Sequence, residues 1–71
     1  MTRDEWVAAY AARLGVEPPD AATVELLLRV AGVAAHDSER TAAPLACWLL
    51  GAAGLDAGAG LEAAEAISPP G

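Results

Sequence analysis

The run Ala21-Ala22-Thr23-Val24-Glu25-Leu26-Leu27-Leu28-Arg29-Val30-Ala31-Gly32-Val33-Ala34-Ala35-His36 is written almost wholly in helix formers. At 3.6 residues per turn it carries two neighbouring apolar faces. Val24, Leu27, Leu28, Ala31, Ala34 and Ala35 form the broader one, and Leu26, Val30 and Val33 form the second. Only Glu25, Arg29, Gly32 and His36 share a stripe without large apolar side chains. A helix apolar around most of its girth belongs at the centre of its domain. The spacing of Glu25 and Arg29 suits an i,i+4 ion pair worth a few tenths of a kcal/mol.

Reading outward from this helix, Asp20 is placed to cap its start. Pro18-Pro19 cannot continue a preceding helix, so Val16 to Pro19 is a linker. Upstream, Thr2 and Glu5 have capping-box spacing. Trp6, Tyr10 and Leu14 recur every fourth residue with Val7 beside them, and Gly15 suits a C-terminal cap. A first helix is therefore expected from about Arg3 to Leu14. Downstream, Asp37 to Thr41 is a polar turn. A third helix follows from Ala42 or Ala43 to Ala53, with Pro44 in its first turn, where a missing amide costs nothing. Leu45, Trp48, Leu49 and Ala52 read as its apolar stripe, with Cys47 and Leu50 to the sides. Gly54 to Gly60 reads as a glycine loop. Leu61 to Ile67 can add two turns of helix. Trp6 and Trp48 read as core anchors, and either one, if exposed, becomes an anchor for a partner.

These elements predict an all-α protein: a compact small bundle of three to four short helices. Residues 1–67 make a single helical domain, and 68–71, Ser-Pro-Pro-Gly, a disordered tail. The composition agrees, since alanine fills 19 of 71 positions and is the best helix former. At this length a chain buries only about 60% of its unfolded surface. Small domains of this kind usually add disulfides, a metal or self-association. A single cysteine, Cys47, forms no internal disulfide, and one histidine with no cysteine pair does not make the usual zinc cage. Stability must come from helix packing, self-association or a host protein.

The formal net charge is −6, with Arg3, Arg13, Arg29 and Arg40 as the only cationic side chains besides His36. That argues against a nucleic-acid partner, which needs a basic patch, and against docking on an anionic membrane. No apolar run reaches the ~18 residues of a spanning helix. A free cysteine flanked by apolar residues fits a reducing cytoplasm.

Chemistry-bearing groups are few. His36 with Asp37, Glu39 and Arg40 is the densest polar cluster. It reads as a metal site, as a histidine base oriented by a carboxylate, or as a helix C-terminus whose histidine complements the dipole. Transition metals want three or four converging ligands, which one histidine and flexible acids supply poorly. Cys47, beside Trp48 and two leucines, reads as packed, with its thiolate disfavoured. Glu62 and Glu65 read as a solvated face, and Gly58-Ala59-Gly60 lacks the strand and the full glycine pattern of a dinucleotide site.

Thr2-Arg3-Asp4-Glu5-Trp6 with Leu14-Gly15-Val16, Ala35-His36 with Arg40 four residues on, Ala42-Ala43-Pro44-Leu45, and Leu49-Leu50-Gly51 together resemble a small actinobacterial helical domain of unknown function. That domain stands alone or is appended to proteins that look like molybdenum-cofactor guanylyltransferases. The resemblance spans nearly the whole chain and is clearest from Val33 to Gly51. It implies a helical domain linked to molybdenum-cofactor biosynthesis, with His36, Arg40 and Pro44 as matching positions, and it implies no activity. The chain lacks the glycine loop and metal-binding acids of the transferase itself.

The expectation is a non-enzymatic accessory domain with no cofactor and no bound metal. It docks on a protein partner, nucleotidyltransferase-like by resemblance, or on itself, through Glu25, Arg29, Gly32 and His36 and nearby apolar residues. The alternative is a small anionic-ligand site formed by His36, Arg40 and the amides around Pro44 that open the third helix. A third reading makes His36 and Arg40 fasteners of the turn between the second and third helices.

Overall fold

A computed structural model describes residues 1–67. It contains four helices, α1 (Arg3–Leu14), α2 (Ala21–Asp37), α3 (Ala42–Ala52) and α4 (Ala57–Ile67), and no strand among the described residues. This is the expected all-α small bundle. The expected disordered tail, residues 68–71, lies outside the described residues.

The helix ends follow the local chemistry. Thr2 Oγ1 accepts from the Glu5 amide at 3.1 Å, and the Thr2 amide donates to Glu5 Oε1 at 3.0 Å. This closes the capping box. Asp20 Oδ1 accepts from the Thr23 amide at 2.7 Å and starts α2. At the end of α1, Gly15 takes φ +75° while its amide and that of Val16 reach back to the Ala12 and Ala11 carbonyls. Gly54 repeats that pattern after α3 with φ +70°, its amide and that of Leu55 reaching Gly51 and Leu50. Both are Schellman ends, in which a left-handed residue, usually glycine, satisfies the last carbonyls.

The core is small. Val30, Leu50 and Leu61 are buried together, with Leu26, Leu27, Val33 and Ala46 packed around them. Thus α2 turns its Leu26–Val30–Val33 face to α3 and α4, and those two helices both pack along it. No packing of similar extent holds α1. The radius of gyration is 12.8 Å and the longest extent 40 Å, whereas a well-packed chain of this length has a radius of about 11 Å. Gly15 to Asp20 explains the difference. Two consecutive prolines fix φ and keep the segment extended, so no tight hairpin folds α1 onto α2.

Three expectations are corrected. Trp6 and Trp48 are not core anchors, being 55% and 71% exposed. The stripe of α3 that turns inward is not Leu45–Trp48–Leu49. Leu50 is buried with Ala46 beside it, while Leu45, Trp48 and Leu49 are more than half exposed and Ala52, the fourth residue of the expected stripe, is exposed too. Because α3 is apolar on most sides, periodicity does not choose its inward face. The side with the small Ala43 and Ala46 lets the helix axes approach. Finally, α4 begins at Ala57, so the glycines read as loop lie partly inside it. Asp56 Oδ1 caps the new start by accepting from the Ala59 amide at 2.8 Å. A Cβ on Gly60 would stand 2.7 Å from Leu50 Cδ2 and closer still to Cδ1. Glycine is required there by close approach rather than by a turn.

Candidate functional site

The polar stripe of α2 lies in solvent. Glu25, Arg29, Gly32 and His36 are all exposed, as are Arg40 in the following turn and Pro44 in the first turn of α3. Among the described residues Glu25 and Arg29 form no ion pair, and neither His36 nor Arg40 makes a side-chain hydrogen bond. A side chain added at Gly32 would meet nothing within 4 Å. At the start of α3 the Ala42 and Ala43 amides already donate to the Glu39 and Arg40 carbonyls, at 2.9 and 3.2 Å. Pro44 has no amide. An anion at this helix start would therefore rely on the Arg40 guanidinium more than on backbone donors.

A concavity lies elsewhere. A cleft of about 820 Å³ runs between α1 and α2. Val7 and Tyr10 form its α1 wall, and Pro18 and Pro19 lie at the linker end. Val24, Leu27 and Leu28 form its α2 wall, and Cys47 of α3 reaches it as well. The cleft is thus part of the broader apolar face of α2, which α1 covers only in part: Val24 and Leu27 are half-buried and Leu28 is exposed. Arg3 and Asp4 stand at one lip, joined at 2.9 Å with both side chains well exposed. Such a pair contributes little in solvent. The cleft is of the size that houses small ligands, about 300–1,000 Å³. Its walls lack the converging polar groups that orient one.

From the cleft the apolar surface continues through Tyr10 to Trp6, and α3 exposes further apolar residues. Trp6 and Tyr10 lie with ring centroids 5.0 Å apart, tilted by 33°, and each is about half exposed. Trp48 follows Cys47 and is the more exposed of the two tryptophans, with Leu45 65% and Leu49 61% exposed on the same outer side of α3. Isolated exposed leucines are ordinary, but apolar surface contiguous with a cleft, as at Tyr10 and Trp6, marks an interaction site.

The titratable groups that depart from their ordinary behaviour are structural. The Thr2 amide, with its hydroxyl, holds the Glu5 carboxyl below its usual 4.5. The Thr23 amide, with its hydroxyl, holds Asp20 below 3.8. Both belong to helix caps. Among the described residues no three His, Cys, Asp or Glu side chains converge to hold a metal. No helix among them is long and apolar enough to cross a membrane.

Reasoning from the sequence missed the cleft, though a signal was present. Two apolar faces on α2 require two coverings, and of the α1 residues that line the cleft Ala8 is small where bulk would be needed to fill it. A family model described as "Domain of unknown function (DUF6457)" matches residues 1–69. Comparison with curated proteins and with solved structures finds no match.

Proposed function

The chain belongs to the family of that domain of unknown function, and for it we propose a non-enzymatic accessory role exercised through protein contact. The observation that carries this reading is the partly covered apolar face of α2 with Tyr10 and Trp6 exposed beside it, and Leu45 and Trp48 exposed on α3. A domain with so small a core gains by covering such a surface, because burying apolar area stabilises by about 25 cal/mol per Å². Aromatic residues standing out from a surface are the usual anchors of an interface.

The resemblance to the actinobacterial domain supports a molybdenum-cofactor guanylyltransferase-like protein as the companion, with this chain as accessory. Free Cys47 favours a reducing cytoplasm as the setting. An anionic ligand at His36 and Arg40 is the alternative, supported by the exposed guanidinium alone.

The test is the size of the full chain in an extract of its host. Tagged wild-type protein is expected to elute within an assembly, and Trp48→Glu at its own mass. Wild-type protein eluting at its own mass would contradict the role.

A further inference from the structure

We propose that α1 is a gate on the cleft. In the position seen here the cleft stands open. In a second position α1 settles onto α2, with Val7 and Ala8 against Leu27 and Leu28, and closes it. The proposal rests on the contact role above and gives that role a control, because only the open position offers this face of α2 to a partner.

Three features let α1 move as a unit. Its ends are satisfied from within, by the Thr2–Glu5 capping box at the start and left-handed Gly15 at the finish. A shift of α1 therefore strips no cap from either terminus. Its seat is small. Ala11 is the one buried residue of α1, at 6% exposure, and a methyl group does not interlock with a neighbouring helix as longer side chains do. Its free end carries no clasp in this position. Arg3 at the cleft lip pairs with Asp4 inside α1 rather than reaching across to α2.

Two opposed tendencies give two positions. Closing takes the apolar walls at Val7, Val24, Leu27 and Leu28 out of water, which favours contact. The linker resists. Pro18 and Pro19 line the same cleft, their φ is fixed, and the residue before each is held extended. The adjustment falls to Val16 and Glu17, between the glycine cap and the prolines. A few residues at the end of an element are what absorbs a hinge movement. From the α1 side contact is also incomplete, since Ala8 brings only a methyl group to the cleft wall.

Cys47 lines the cleft and is the chain's one cysteine, so its rate of alkylation by N-ethylmaleimide reports how much of the time the gate stands open. The purified full chain is compared with Ala8→Leu and, separately, with Pro18→Ala, Pro19→Ala, with helicity followed in parallel. Alanine and leucine are both strong helix formers, and position 8 is exposed on the cleft wall. Ala8→Leu gives α1 the bulk to close and is expected to slow alkylation about tenfold. The double proline variant adds no bulk to the cleft. It is expected to slow alkylation as well, with a smaller radius of gyration than wild type in X-ray scattering. Misfolding bares the thiol and speeds alkylation, so a slower rate does not come from it. A rate at or above wild type in either variant overturns the proposal, as does slowing in Ala8→Leu with no change of radius in the proline variant. In host extract the closed Ala8→Leu chain is expected to elute at its own mass. An Ala8→Leu chain that shields Cys47 yet assembles as wild type does overturns the control and leaves the contact role standing. Wild type at its own mass there ends the contact role and the control with it.

Discussion

Gly60 of α4 rests directly against the side chain of Leu50 of α3, with no space for a Cβ between them. Leu50 is buried beside Val30 and Leu61, so it has nowhere to swing. Gly60→Ala gains helix propensity of about 0.8–1 kcal/mol and loses about 1–3 kcal/mol to overpacking. The net expectation is a destabilisation of roughly 1 kcal/mol, read as a lower denaturant midpoint. Increased stability would contradict the close approach.

The inward face of α3 can be tested by contrast. Leu50→Ala should cost about 2–5 kcal/mol as a buried truncation, comparable to the ~3–5 kcal/mol that a single core of this size supplies. The variant should lose most of its helicity at room temperature. Leu45→Ala, on the outer side, should stay within about 0.5 kcal/mol of wild type in the monomer. Equal costs for the two would place the stripe wrongly.

Acid should weaken the helix starts. Glu5 and Asp20 are held below their ordinary values of 4.5 and 3.8 by cap hydrogen bonds. Their folded pKa values thus lie under the unfolded ones. The stabilisation is complete above the unfolded values and is lost as pH falls through the folded ones. Circular dichroism between about pH 5 and pH 2 should show helicity falling, and Glu5→Gln with Asp20→Asn should flatten that fall. Asn retains a capping oxygen at neutral pH. An unaltered acid limb in the double variant would rule the caps out as its source.

Opening should be local before it is global. Because α1 lacks the packing that α2 shares with α3 and α4, its amides should exchange with solvent ahead of those around Val30. Hydrogen exchange at low protein concentration measures this. Equal protection in α1 and α2 would show α1 to be docked.

The sequence made some of this legible and left other parts open, for physical reasons. Thr2, Glu5, Gly15 and Asp20 act through neighbours in the chain, so α1 and the start of α2 could be read from spacing. The two faces of α2 were legible too, because its polar stripe is clean. The inward side of α3 was not, since leucine, tryptophan and alanine surround it and only the partner helices choose. Gly58 and Gly60 read as breakers until Leu50 stood opposite. The cleft depends on how far Pro18-Pro19 hold α1 from α2, a distance set by tertiary geometry that no periodicity encodes.

The most direct measurement is the emission of Trp48 in a Trp6→Phe variant, which leaves one indole to report. In the purified chain Trp48, 71% exposed, should emit at the wavelength of a solvated indole and be quenched freely by a small collisional quencher. The emission of a shielded indole would contradict the account, because the outer side of α3 would then be closed to a partner.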